Sequence, residues 1–360
     1  MASAPRIPHS ASHVLAADFQ YIHGLVDRNY VGPGPLCADL RQLLKTQFTC
    51  SEVILADSGT AALHLCLVAL AAQRIDRKRV LVGAYVCPEV INAIRLAGLE
   101  PVLADTRADS LNIDMASLGE LVDAKTLAII CTHVGGIPDD YRTATTFGIP
   151  VISDCAQAVG SLVGERDVAS EGVCAILSFG ATKMVSAGGG GAILCRSEDL
   201  ARNMSNLARP EWLVEEYRSK GFQVTYGQHI GDLTAGLAGA QLRRLGLMVD
   251  RRRSIADSYA RVLLARGDVE LVNEGPAVRS NRFRYYFLSD QAGVWIKSLH
   301  SAGIDARGSI SHVIPEYDGN MEAFPKLRWL SGRVVSVPIF PAMTADEADR
   351  VALALTAVPR

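Results

Sequence analysis

Seven short apolar runs punctuate the first part of the chain: EVILAD, RVLVGA, EPVLAD, TLAIICT, PVISD, CAILSF and GAILC. They are apolar almost throughout rather than at alternate positions, so each reads as a strand buried on both faces. Helical stretches lie between them over residues 50 to 200, and this alternation predicts a largely parallel α/β sheet. The helix after the first strand, roughly Gly59 to Ala72 in GTAALHLCLVALAA, is apolar on every side and should be buried.

Beyond about residue 230 the pattern changes to a helical period. DLTAGLAGAQLRRLGLMVDRRRSIADSYARVLLARG reads as one long helix with arginines between its apolar positions, connecting two domains. A strand follows in RFRYYFLSD, then a helix in AGVWIKSLHSAG, a loop RGSISHVIPEYDG and a closing helix in TADEADRVALALTAV. The expected organisation is an entry segment and large domain over 1–245, with a mostly parallel mixed sheet flanked by helices, and a small α+β domain over 246–360. A chain of 360 residues is long enough for two such cores.

Composition narrows the partners. Lys and Arg total 36 against 38 Asp and Glu, a net charge of -2, so no basic field recruits nucleic acid. The triplet Arg251, Arg252 and Arg253 reads instead as a solvated helix face. The eight cysteines are scattered without CxxC or Cys/His spacing, which argues against a metal site and for free thiols in a reducing compartment. MASAPRIPHSASHVLAADF lacks the apolar core of a signal peptide, and no run is long enough to span a bilayer; a cytoplasmic, membrane-free protein is expected.

Three segments carry candidate chemistry. Asp154 ends the run VISD, at the carboxyl edge where open α/β sheets bind ligands. Lys183, in SFGATKMVSAGGGGAIL, has no other charged residue from Ser178 to Gly191, which suits a partly buried amine of lowered pKa. In DSGTAAL, Ser58, Gly59 and Thr60 place hydroxyls and backbone N–H groups at the positive end of a helix, a site for a phosphate. Each has a plainer reading: a helix-capping aspartate, a surface lysine, an N-cap serine. Together they suit pyridoxal phosphate, which needs a deprotonated lysine amine for a Schiff base with its aldehyde and a carboxylate to keep its ring nitrogen protonated. Gln157 is placed to meet the cofactor's phenolic oxygen, and Ser178 and Thr182 offer hydroxyls to its phosphate. The glycines at 188–191 do not form a dinucleotide fingerprint.

These segments, in this order, resemble the DegT/DnrJ/StrS sugar-aminotransferase family of fold type I pyridoxal-phosphate enzymes. The resemblance extends to RNYVGPGPLCADLRQLL, AIRLAGLEPVLADTRADSLNID and VPIFPAMTADEADRV. It implies pyridoxal phosphate held covalently by Lys183, which then serves as general acid/base, with Asp154 on the pyridinium nitrogen and Gln157 on the phenolic oxygen. Ser58, Gly59, Thr60 and Ser178 would hold the phosphate. It also implies an amino-acid donor, glutamate or glutamine, a keto-sugar acceptor, possibly nucleotide-linked, or another keto intermediate of specialised metabolism, and a homodimer with each site at the interface.

Several positions depart from that family's pattern. GAYVC stands where an aromatic ring usually stacks on the cofactor, leaving Tyr85 or Cys87 for that role. GQHIGD replaces the usual NYRMTE, so Gln228 stands in for the asparagine that reaches the neighbour's phosphate, and His229 takes the place of an arginine. THVGG around His133 replaces HLYG. Substrate contacts are expected from His229, Arg307 and His312. Two other classes stay open: a pyridoxal-phosphate enzyme of elimination or dehydration chemistry, and a non-catalytic ligand sensor. Lys183 opposes the dehydratase branch, which usually has histidine there, and the pair with Asp154 opposes the sensor.

Overall fold

The computed structural model describes residues 5–208, 226–275, 277–309 and 314–359. All seven apolar runs form strands: β1 (Glu52–Ala56), β2 (Arg79–Gly83), β3 (Glu100–Ala104), β4 (Thr126–Cys131) and β5 (Val151–Asp154), then, after a short hairpin of β6 (Leu162–Val163) and β7 (Arg166–Asp167), β8 (Cys174–Ser178) and β9 (Gly191–Cys195). The seven make one sheet in the order β1-β9-β8-β5-β4-β2-β3. The pairs among β3, β2, β4, β5 and β8 are parallel, and β9 runs antiparallel to both β8 and β1. A parallel return needs a crossover, usually a helix. Residues 179–190 contain no helix, so the chain turns back at the end of β8 and β9 enters reversed.

The continuous apolar runs follow from burial on both faces. Along β1, Ile54 and Ala56 pack into the core layer of helix Gly59–Gln73, while Val53 and Leu55 pack into the opposite layer. Strand β8 divides the same way, Cys174 and Ile176 on one side and Ala175 and Leu177 on the other. Helix Gly59–Gln73 is wedged between the sheet and helices Pro88–Leu96 and Glu198–Ala208, which accounts for its apolar character all round. The opposite layer is built by helices Pro35–Gln47 and Asp232–Arg243.

The C-terminal part adds β10 (Glu270–Leu271), β11 (Val278–Arg279), β12 (Tyr285–Leu288) and β13 (Val334–Val337). Strands β10, β12 and β13 form an antiparallel sheet, and β11 pairs with β6. Helices Leu245–Leu264, Ala292–Ser301 and Ala345–Ala357 enclose Tyr259, Phe287, Trp295 and Val351 against that sheet. The last helix opens on a capping box between Thr344 and Glu347. Among the described residues no helix is long and apolar enough to cross a membrane.

Three readings of the sequence change. The long helix after residue 230 is two, Asp232–Arg243 and Leu245–Leu264, broken at Arg244 (φ -110°, ψ 14°). Arg244 is held away from helical geometry by Asp18, whose carboxylate accepts from Nη2 at 2.7 Å and Nε at 3.1 Å, and by the His13 carbonyl. The arginine triplet is not a solvated face. Arg252 is buried and donates to the carbonyls of Phe283, Ile339 and Arg282, Arg251 to Met343, and Arg253 to Ser280 and Arg279, so the triplet ties helix Leu245–Leu264 to neighbouring turns. Finally, RGSISHVIPEYDG is not loop throughout, since Ile314–Asp318 is a short helix.

Candidate active site

The carboxyl ends of β1, β2, β4, β5 and β8 lie along one edge of the sheet and border a cavity of about 290 Å³. Its walls include Ser58, Gly59 and Thr60 after β1, Tyr85 and Cys87 after β2, and Thr132 after β4. Asp154 and Gln157 come from the end of β5, and Ser178 and Lys183 from the end of β8. The topology thus brings together residues more than a hundred positions apart.

Ser58 caps helix Gly59–Gln73, its Oγ accepting from the Ala61 N–H at 3.0 Å. This leaves the N–H groups of Gly59 and Thr60, which have no intrahelical acceptor, as donors at the positive helix end. Two glycines make the approach close enough. A Cβ at Gly59 would stand 2.9 Å from the Ser178 Cβ, and one at Gly191 would stand 2.7 Å from the Gly59 N and the Leu177 O. The start of β9 therefore presses on the helix N-terminus and sets it beside Ser178.

Asp154 is buried, and burial raises its carboxyl above the ordinary range; the Ala156 N–H, donating to Oδ1 at 3.0 Å, and the charge of Lys183 oppose that shift. Lys183 is half-buried in the β8–β9 connection, its Nζ 5.8 Å from the centre of the Phe283 ring. Two residues fasten this connection. Ser186 Oγ donates to the Lys183 carbonyl at 2.9 Å. Gln241, fully buried in helix Asp232–Arg243, accepts from the Ser186 N–H and donates to the Ser186 carbonyl, both at 2.7 Å. Thr182, one residue before the lysine, is exposed and does not border the cavity.

The wall beside Gln157 rests on a buried relay. His133 adopts a left-handed backbone (φ 47°), and its Nδ1 accepts from the Asp139 N–H at 2.9 Å. Nε2 then carries the hydrogen and donates to Ser153 Oγ at 2.8 Å, and Ser153 donates to the Val168 carbonyl at 2.9 Å. Burial lowers the His133 pKa, which keeps the ring neutral and the relay fixed in this direction. The Asp139 carboxylate closes the turn by accepting from the His133 N–H at 2.8 Å. The following Gly135 N–H donates to Gln157 Oε1 at 2.9 Å, which leaves the amide NH2 end to act as a donor.

Tyr85 is buried with its hydroxyl 2.8 Å from Ser309 Oγ, while Cys87 donates to Glu89 Oε2 at 2.5 Å. Burial, then the Glu89 carboxylate, pushes the Cys87 thiol up to about 12, so it stays protonated. Gln228, His229 and Arg307 do not border the cavity within one chain. His229 Nδ1 lies 2.7 Å from the Gly227 carbonyl, and Arg307 pairs with Asp305 at 3.1 Å. His312 lies outside the described residues.

Sequence reasoning passed over several residues. Thr132 borders the cavity with a buried Oγ1 that has no hydrogen-bond partner among the described residues; the strand-end rule that singled out Asp154 applies to it equally. Gln241, Asp139 and Ser153 left no local signal, and His133 stood out only as the THVGG departure from the family's HLYG, because their roles exist only across distant elements.

A family model described as the DegT/DnrJ/EryC1/StrS aminotransferase family matches residues 15–356. Among solved structures, the sugar aminotransferase CalS13 from Micromonospora echinospora is similar at 21% identity and a TM-score of 0.87, over 98% of this chain and 99% of that one. PseC from Helicobacter pylori, an aminotransferase involved in pseudoaminic acid biosynthesis, is similar at 17% identity and a TM-score of 0.87, over 97% and 98%. Spr1654 from Streptococcus pneumoniae, in its PLP form, is similar at 21% identity and a TM-score of 0.87, over 98% of each chain. At these identities the likeness is one of fold.

Proposed function

The chain belongs to the DegT/DnrJ/EryC1/StrS aminotransferase family and is a pyridoxal-phosphate-dependent aminotransferase; on that premise we propose that it moves an amino group from glutamate or glutamine to a keto sugar. The observation that carries this reading is the convergence of Asp154, Lys183 and the helix N-terminus at Gly59 on one cavity.

The residues present fit the cofactor on independent grounds. A Thr132 hydroxyl buried without a partner among the described residues calls for a polar ligand, and the glycines at 59 and 191 let Ser178 and β9 close on the helix N-terminus, an approach that a Cβ at either position would push apart. When bound, pyridoxal phosphate supplies an aldehyde for an amine and a ring that draws electrons from the reacting carbon. Gly59, Thr60 and Ser178 hold the phosphate by N–H and hydroxyl donation. Asp154 would accept a hydrogen bond from the ring nitrogen, and a cationic partner there would offset the burial that otherwise favours its neutral form. The Gln157 NH2 donates to the phenolic oxygen. Lys183 Nζ would anchor the cofactor and, as a free amine, would take and return the proton at the substrate carbon.

A homodimer accords with Gln228 and His229 standing outside the cavity of their own chain, with exposed Leu233 nearby in sequence, and with exposed Tyr30 and Val31 beside Gly32, whose carbonyl accepts from the Asp232 N–H at 3.0 Å. Eight unbridged cysteines accord with the cytoplasm.

The test is borohydride reduction of the purified protein followed by peptide mass analysis. The expected result is cofactor fixed to Lys183, with glutamate or glutamine converting the unreduced protein to the pyridoxamine form. A label on another lysine, or no reaction with any amino donor, would overturn the assignment.

A further inference from the structure

We propose that Arg284, just outside the lining of this cavity and on the Phe283 ring that Lys183 also meets, is a substrate-binding residue that receives a carboxylate, the carboxylate of the amino-acid donor being its natural source. This deepens the aminotransferase reading and rests on it.

Arg284 enters β12. Along that strand Tyr285 and Phe287 face the C-terminal core, whereas Tyr286 faces the layer that contains Tyr85 and Val134 of the cavity wall. Arg284 sits at the bend immediately before that strand, where its contacts rather than strand alternation set its direction. Its backbone N–H donates to the Gly135 carbonyl at 3.0 Å, and the Gly135 N–H in turn holds Gln157. The guanidinium stacks 4.5 Å from the centre of the Phe283 ring, the ring over which Lys183 Nζ stands at 5.8 Å. Lysine and arginine thus share one aromatic platform.

Arg284 lacks an anion. Its Nε and Nη1 are buried without a hydrogen-bond partner among the described residues. Burial, then the charge of Arg307, lowers its pKa to about 10, which still leaves it cationic at neutral pH. His9 and Arg252 also feel its charge, and burial keeps His9 neutral. The charged group that acts on it most directly, Arg307, is a cation, and the nearby Asp305 is already paired with Arg307 at 3.1 Å. A buried, unpaired guanidinium is costly to maintain, and its planar fork of donors matches a carboxylate. The helix N-terminus at Gly59 and Thr60 forms a separate anion site after β1, so the phosphate does not need Arg284.

The holoenzyme and its Arg284→Gln and Arg284→Lys variants distinguish the outcomes, with thermal unfolding as the check on folding. The first measurement is the concentration dependence of the donor half-reaction with glutamate. The second is calorimetric titration with glutarate, which carries carboxylates but no amine and needs no turnover. For Arg284→Gln we expect glutamate and glutarate to bind roughly 10- to 100-fold more weakly. Arg284→Lys should fall between, keeping the charge but not the fork. A loss seen only with glucuronate, an acidic sugar, would still support the carboxylate site but assign it to the acceptor. Unchanged binding of glutamate, glutarate and glucuronate overturns the proposal. Failure of the wild-type protein to react with any donor would instead overturn the aminotransferase reading, and glutarate would still test Arg284.

Discussion

Replacing Gln241 with leucine should loosen the connection that carries Lys183. Gln241 is fully buried, and its side-chain amide bridges both backbone groups of Ser186, a residue only 4% exposed. Leucine has nearly the same volume but leaves the Ser186 N–H and carbonyl without partners. Each unsatisfied buried group costs about 1–3 kcal/mol, so the pair amounts to about 2–6 kcal/mol before the gain from burying a leucine and the entry of water. A net loss of about 3 kcal/mol follows, read as a lower urea midpoint. The same change frees the turn in which Ser186 Oγ holds the Lys183 carbonyl, so turnover should fall in the folded protein as well. Lys183→Ala separates the two effects, since it should abolish turnover with little change in the midpoint. A Gln241→Leu protein within 0.5 kcal/mol of wild type would refute the argument that this clamp is a main support of the connection.

Other sites give independent tests. Gly191→Ala sets a Cβ 2.7 Å from three backbone atoms, which have nowhere to move, so it should cost about 3 kcal/mol in thermal unfolding and weaken cofactor retention measured by dialysis. Arg252→Met strands the carbonyls of Phe283 and Ile339, which accept from its Nη1 at 3.1 and 2.8 Å, and should cost about 2–4 kcal/mol of stability in urea unfolding, with no loss if the triplet were solvated. Burial raises the Asp167 carboxyl to about 7, against the Ala169 and Gly160 N–H groups that favour its anion. The folded state therefore binds a proton that the unfolded state has released, and stability should fall as pH rises from about 4 to 7. Asp167→Asn should flatten that fall in denaturation curves taken across the interval.

Much of the large sheet was legible because its signal is local. A strand buried on both faces must be apolar at consecutive positions, and seven such runs appear in the chain before anything is folded. The connection after β8 likewise showed its unusual character in a stretch of small residues around one lysine. The arginine triplet misled for a physical reason: a guanidinium looks the same in sequence whether it meets water or buried carbonyls. Which it meets depends on turns up to 92 residues away.

By itself, the sequence determined the strands, the apolar helix after β1, and the order of the cradle, acid and lysine along the chain. These follow from the period of hydrophobic burial and from the capping chemistry of Ser58. Only the tertiary structure decided that Thr132 enters the cavity, that Gln241 clamps Ser186, and that Arg284 shares a ring with Lys183. Those relations are distances between segments, set by how layers pack and where the chain turns back, and no local pattern encodes them.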